Sequence, residues 1–194
     1  MKRIKTREDR NRALEIFYAG FMDSLGIMWV LKRKTILAKK MTIRILFHEG
    51  HAKEGAYLTE DRNGALLFYE TQDNRSDMFN SLRKLYLVLV YAGIRNGLRL
   101  ITYRKMIATT RPKDALVGFL VATDQNIRGS EAAFEIKREM FNLADKLKKT
   151  ICLETSIPRV RKLYQLSGYE EYASVNHPYE DLTIWFFKRE FKNG

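Results

Sequence analysis

Hydrophobic positions along this chain recur with either helical or alternating spacing, and the changes from one to the other mark its elements. Arg3 to Lys5 reads as a short edge strand, and Thr6 followed by Asp9 resembles a helix capping box with Asp in place of the usual Glu. Leu14, Phe17, Tyr18 and Phe21 share one helical face, and Gly26 interrupts that helix. A second helix is predicted from about Ile27 to about His48, with Leu31, Ile36, Met41, Ile45 and Leu46 as an imperfect apolar stripe. Ala56 to Thr59 and Ala65 to Tyr69 are strand-like and flank Asp61-Arg62-Asn63-Gly64, a strong turn signal, so a hairpin is predicted. Leu82, Leu85, Tyr86, Leu89 and Val90 repeat with the spacing of a buried amphipathic helix, which Gly93 and Gly97 loosen. A shorter helix with Leu98, Ile101, Tyr103 and Met106 leads to Pro112.

Beyond Pro112 the pattern changes. Ala115 to Ala122 is an unbroken apolar run, as expected of a central strand covered on both faces. A polar loop and a helix to about Leu147 follow, and the chain returns as a strand at Ile151-Cys152-Leu153. The result is a βαβ-like unit whose helix N-terminus is a natural place for phosphate oxygens. Pro158 suits the first turn of a short helix carrying Val160, Leu163, Tyr164 and Leu166, and Gly168 stops it. Tyr169 to Val175 and Leu182 to Arg189 flank the turn Asn176-His177-Pro178 as a closing strand pair. The order of elements predicts an α/β domain built on a mixed sheet, an α+β arrangement with helices on both faces.

Composition narrows the class. A chain of 194 residues with 45% hydrophobic and 12% aromatic content can bury a sizeable core, and three prolines without a low-complexity run argue for one domain over 1–194. The single Cys152 excludes an internal disulfide and, set in an apolar strand, reads as a buried core thiol. The start of the chain has no apolar leader, and the longest apolar run, Leu85 to Ala92, is far below the roughly 20 residues of a membrane span. A cytoplasmic protein is therefore expected. His48 and His51 could face one metal, but no carboxylate or third histidine accompanies them at a recognisable spacing, and no metal is expected.

Charge is distributed unevenly. The formal net charge is +12, no acid lies between Asp23 and Glu49, and the 36 residues between Asp77 and Asp114 hold eight Lys or Arg and no acid. Such a run is ordinarily a solvated face, yet its sign favours an anionic partner, whether nucleic acid, a membrane surface or a phosphate-rich ligand.

Leu153-Glu154-Thr155-Ser156, then Leu163-Tyr164-x-x-x-Gly168-Tyr169, resembles the end of the GNAT superfamily of acyl-CoA-dependent N-acetyltransferases. The resemblance implies a central mixed sheet of about six to seven strands, with 1–113 on the acceptor side and 114–194 on the acyl-CoA side. It implies acetyl-CoA, with coenzyme A as product, as co-substrate, and a primary amine of unknown identity attacking directly in a ternary complex. Val121, Ala122 and Thr123 would hold the pantetheine arm, Tyr164 would protonate the departing thiolate, and Glu154 would take a proton from the acceptor. A homodimer is left open.

The family's pyrophosphate loop, Q/R-x-x-G-x-G/A, can be laid on this chain in two registers. Leading with Asn126 gives Gly129 a glycine position but starts the following helix face at Phe134, Glu135 and Arg138. Leading with Arg128 gives Arg128-Gly129-Ser130-Glu131-Ala132-Ala133 and an apolar face of Ala133, Ile136, Met140, Leu143, Ala144 and Leu147. That second register is preferred. It places Glu131 at a glycine position, against the anion expected there, although an acid in a helix's first turn is also routine. The asparagine that many family members carry before the tyrosine is replaced by Ile157 or Val160. The rival reading is therefore a catalytically impaired GNAT-like scaffold that binds an anionic partner.

Overall fold

The strands β1 (Lys2–Arg3), β2 (Ala56–Leu58), β3 (Gly64–Glu70), β4 (Ala115–Thr123), β5 (Thr150–Thr155), β6 (Glu170–Asn176) and β7 (Thr183–Arg189) form one sheet in the order β1-β2-β3-β4-β5-β7-β6. Only β4 and β5 pair in parallel; every other neighbour is antiparallel. The computed structural model describes residues 1–75, 77–124, 126 and 131–192. Its helices are α1 (Arg7–Phe21), α2 (Leu25–Met28), α3 (Ile36–Ala52), α4 (Met78–Leu87), α5 (Ile94–Thr110), α6 (Glu131–Leu147) and α7 (Pro158–Leu166), with a π-helical turn, Val88–Ala92, between α4 and α5. The mixed sheet of seven strands with helices on both faces is the predicted class.

Alternation along each strand divides the core in two. Ala65 and Leu67 of β3 join Leu120 of β4 in a cluster with Phe17 of α1 and Phe47 of α3, while Leu66 and Phe68 turn to the opposite face and meet Ile136 and Met140 of α6. On the first face α5 extends the cover over β7, with Ile107 against Ile184 and Phe186. On the second, Tyr164 of α7 packs with Tyr169 and Phe187.

Several local predictions hold. The Thr6 hydroxyl accepts from the Asp9 amide at 3.1 Å and starts α1. In the β2–β3 turn the Thr59 hydroxyl accepts from the amides of Asn63 and Gly64 and donates to Asp61, so one buried side chain fixes the whole reversal.

Other predictions fail. No helix runs from Ile27 to His48: α2 ends at Met28, and α3 starts afresh where the Thr35 hydroxyl caps Ala38. The four consecutive residues Met28, Trp29, Val30 and Leu31 are all buried, which an amphipathic helix cannot provide. Ile36, assigned to the buried stripe, is exposed, and Ala38, Thr42 and Ile43 take the inner face of α3. The predicted burial of Leu82, Leu85, Tyr86, Leu89 and Val90 is wrong as well, since all five are exposed and Asn80 and Leu87 face inward instead. In α7, Leu163 and Leu166 are exposed and no residue is fully buried. The face of α6 starts one residue earlier than predicted: Ala132, Ile136, Met140 and Ala144 are buried, while Ala133 and Leu147 are exposed. Gly64 is the reason, because a Cβ there would stand 2.8 Å from Ile136 Cδ1 and 3.2 Å from Ala132 Cβ, so its absence lets α6 settle on β3 at Ala132.

All three histidines are shifted towards neutrality. Burial pushes His48 down to about 4, helped by the charges of Arg83, Arg44 and Arg10. His51 and His177 move the same way, each chiefly through burial. A histidine held below its unfolded value of about 6.5 is protonated first in the unfolded chain, so stability is full above that value and falls as pH drops towards about 4. The urea midpoint is therefore expected to be lower at pH 5 than at pH 7. His48 and His51 each contribute less than the about 1.4 kcal/mol per pH unit of one fully coupled proton, because both are half-buried and water screens them. His48→Gln should flatten the decline, and a midpoint with the same pH dependence in that variant would refute this assignment.

Candidate active site

The sheet opens where β4 and β5 part. Their parallel ladder runs from Ala115↔Thr150 to Gly118↔Leu153 and stops there, while β4 continues to Thr123 beside β3 and β5 continues to Thr155 beside β7. A bulge causes the parting. Leu67 pairs with Leu120 and Phe68 with Gly118, so Phe119 is an extra residue on β4, and Phe119 and Leu120 both turn to the α1–α3 face. A bulge bends its strand and sharpens the local twist, here carrying the end of β4 away from β5. Gly118 sits at the fork because a Cβ would stand 2.3 Å from Leu153 Cδ2 and 3.0 Å from Met140 Cε. From Phe119 to Thr123 the edge of β4 facing β5 has no strand partner among the described residues.

A cavity of about 390 Å³ lies against the fork on the face of α1, α3 and α5. Trp29, Tyr69, Tyr103 and Phe119 give it aromatic walls, and the inner sides of α4, the π-helical turn and α5 roof it with Leu87, Val88 and Leu100. Its charges are cross-linked. Glu49 accepts from Lys84 Nζ at 2.8 Å and from Arg104, and Glu154 accepts from Arg111 Nε at 2.9 Å and Nη2 in a two-pronged pair. Burial works against the charge on Arg111, and Glu154 outweighs it, so the guanidinium is held even more firmly protonated. Lys53 is the fourth cation, with Nζ 4.4 Å from the centre of the Tyr69 ring, and burial pushes its pKa down.

The two expected catalytic residues stand at the same strand end on opposite faces. Glu154 is the last cavity-side residue of β5 before Thr155 and Ser156, and Leu153 before it points to the α6 face. Both Glu154 oxygens are engaged by Arg111, so its use as a base requires a lone pair that the guanidinium leaves free. Tyr164 is half-buried on the α6–α7 side, its ring 5.7 Å from Tyr169 and 5.4 Å from Phe187, and it does not line the cavity. Burial pushes its hydroxyl up to about 12, with the charge of Glu154 adding to the effect. Val121, Ala122 and Thr123 form the unpaired end of β4, half-buried. Arg128, Gly129 and Ser130 lie outside the described residues; Glu131 opens α6 and is exposed, Ala132 is buried and Ala133 is exposed.

Arg111 was missed by sequence reasoning, as were Glu49, Lys53 and the aromatic walls. Nothing local marks Arg111, whose partner lies 43 residues away. Cys152 is a buried free thiol that burial pushes up to about 11, and its sulfur lies 3.5 Å from the Tyr172 hydroxyl, an environment that suppresses thiolate chemistry. Among the described residues, no group of three His, Cys, Asp or Glu side chains is placed to hold a metal ion.

No family model matches the chain, and no curated protein is similar to it in sequence. Solved structures are similar over nearly the full length. A histone acetyltransferase HPA2 and related acetyltransferase from Corynebacterium glutamicum superposes with a TM-score of 0.66 at 14% identity, covering 98% of this chain and 95% of the other. The C-terminal condensation domain of Ebony, solved in complex with beta-alanyl-dopamine, reaches 0.68 at 10% identity over 96% of each chain. A GNAT-family protein from Desulfovibrio desulfuricans reaches 0.54 at 12% identity, covering 97% of this chain and 96% of its own. Over nearly its whole length, these superpositions show that the chain has the fold of the GNAT acetyltransferases.

Proposed function

We propose that this protein transfers an acetyl group from acetyl-CoA to a primary amine. The observation that carries the reading is the fork: an unpaired edge of β4 at Val121 to Thr123, with Tyr164 on one side and, on the other, a half-open, largely apolar cavity with aromatic walls and paired charges. The free backbone groups of such an edge suit the amides of a pantetheine arm, which binds as an added strand would. Phosphates would lie at the start of α6. Acetyl-CoA supplies the activated acyl group. The chain's own residues then do the rest. The cavity orients the amine towards the fork, the Tyr164 phenol holds a proton for the leaving sulfur, and Glu154 takes the ammonium proton through a lone pair that Arg111 does not use.

The cavity also bears on the acceptor. Four cations, Lys53, Lys84, Arg104 and Arg111, face two carboxylates, Glu49 and Glu154. That excess favours an acceptor carrying a carboxylate or phosphate in addition to its amine, and the aromatic walls favour a flat or apolar body. An amine screen should accordingly rank amino acids and other anionic amines above simple alkylamines.

Calorimetric titration with acetyl-CoA and coenzyme A tests the first step. Micromolar binding by the wild type is expected, and Glu131→Gly should tighten it by about two- to fivefold, the range of an exposed like-charge contact removed. No binding by the wild type, with binding restored by the glycine, would instead identify a scaffold that has lost the transfer reaction.

A further inference from the structure

The helical hairpin of α4 and α5 turns its outer face to water although that face is apolar. Leu82, Leu85 and Leu89 on one arm and Ile94, Leu98 and Ile101 on the other are each between 56% and 69% exposed. Each set recurs at helical spacing, so each arm carries a continuous row. The loop before α3 joins the tip of this hairpin: the amides of Lys32 and Arg33 donate to the Tyr91 carbonyl at 2.9 and 3.1 Å, and Asn96 Nδ2 donates to the Val30 carbonyl at 3.0 Å. That contact places Lys32, Arg33 and Lys34 beside the apolar rows. These three cations, with Arg95 and Lys105, are exposed and have no ion pair among the described residues. From Met78 to Lys113 there is no acid to offset them.

We propose that this face docks on a negatively charged lipid surface. Aliphatic rows bordered by unpaired lysines and arginines are what an interfacial helix presents to headgroups and the acyl boundary, with attraction from each cation added to burial of each apolar side chain. A second copy of the chain fits less well, because a two-fold contact sets the same patch on itself and would press Lys32 to Lys34 and Arg95 together with no carboxylate within the hairpin to receive them. Nucleic acid would use the cations and the exposed rings of Phe79 and Tyr86, but the six leucine and isoleucine positions outnumber those two rings and suit acyl chains better than bases. Docking is peripheral, because among the described residues no helix is long and apolar enough to cross a membrane. The inner sides of the same hairpin roof the cavity, so docking holds that roof against the bilayer. None of this depends on the acetyl-transfer reading.

Vesicle flotation tests the proposal. The wild-type protein is expected to float with phosphatidylcholine vesicles containing about 30 mol% phosphatidylserine and to bind phosphatidylcholine alone at least about tenfold more weakly. Leu85→Gln combined with Leu89→Gln and Leu98→Gln should reduce binding to the anionic vesicles by about tenfold or more, with an unchanged melting temperature because the three positions are exposed. Arg33→Gln with Arg95→Gln should reduce it by about tenfold as well. Failure of the wild type to float would overturn the proposal. So would flotation that the leucine variant leaves intact, which reduces the attraction to charge alone. Sedimentation velocity without vesicles covers the remaining occupant: a wild-type dimer that the leucine variant converts to monomer would assign the face to self-association instead.

Discussion

Phenylalanine in place of Tyr164 is expected to lower kcat for acetyl transfer by about 10²- to 10⁴-fold, the usual contribution of a positioned general acid. The substitution removes one oxygen and keeps the ring contacts with Tyr169 and Phe187, so stability should change by less than about 1 kcal/mol. The hydroxyl makes no hydrogen bond to any described residue, which leaves it free to donate. Burial, with the charge of Glu154, pushes its pKa up to about 12. The phenol is therefore protonated at every pH at which the protein would be assayed, and the wild type should show no alkaline loss of kcat from this group below about pH 11. Acetyl-CoA affinity should stay within about twofold, since a group that acts as sulfur departs contributes to the transition state and not to binding. A variant with unchanged kcat would make Tyr164 a packing residue through which α7 leans on Tyr169 and Phe187.

What could be read from the sequence was what local chemistry determines. The cap at Thr6, the β2–β3 turn built on Thr59, the proline start of α7 and its stop at Gly168, with φ of +87°, each depend on a few neighbouring residues, and each was legible. Faces were less legible than elements. The spacing of Leu82, Leu85, Tyr86, Leu89 and Val90 identifies a helix correctly, but period alone cannot say whether the apolar stripe finds the core, and here Asn80 and Leu87 do so instead. A signal existed at Met28-Trp29-Val30-Leu31, because four adjacent large apolar residues suit a buried connection better than one side of a helix.

The candidate site was half legible for a related reason. Glu154 and Tyr164 lie within one short stretch whose strand, exit and helix are all local, so their proximity followed from order along the chain. The fork itself depends on Phe119 being one residue too many opposite Leu67 and Phe68, a mismatch that exists only once β3 and β4 have paired. The cavity needs α2, α3, α4 and α5 brought together, and its charge depends on partners as distant as Lys84 to Glu49 and Arg111 to Glu154. Composition showed the excess of cations without showing which of them faced inward.

Arg111→Ala is expected to destabilise the fold by about 3 kcal/mol, near the low end for breaking a buried ion pair because both partners keep some contact with water. The side chains of Arg111 and Glu154 are 15% and 18% exposed, and the guanidinium satisfies both carboxylate oxygens. Alanine leaves Glu154 in the cavity wall without its partner. For a domain of this size the melting temperature should fall by about 6 to 12 °C. The decisive comparison is Arg111→Met with Glu154→Gln in one chain, which removes both charges and keeps much of the volume. If the ion pair is what the cavity wall requires, this double variant should recover most of the lost stability, because no unpaired charge remains. The transfer reaction should not recover with the fold, since the double variant also removes the proposed base: kcat should fall while the affinity for acetyl-CoA holds. A double variant as unstable as Arg111→Ala would give the arginine another structural role. Its guanidinium lies 5.9 Å from the centre of the Phe119 ring, and contact with that extra residue of β4 would then be what holds the fork open.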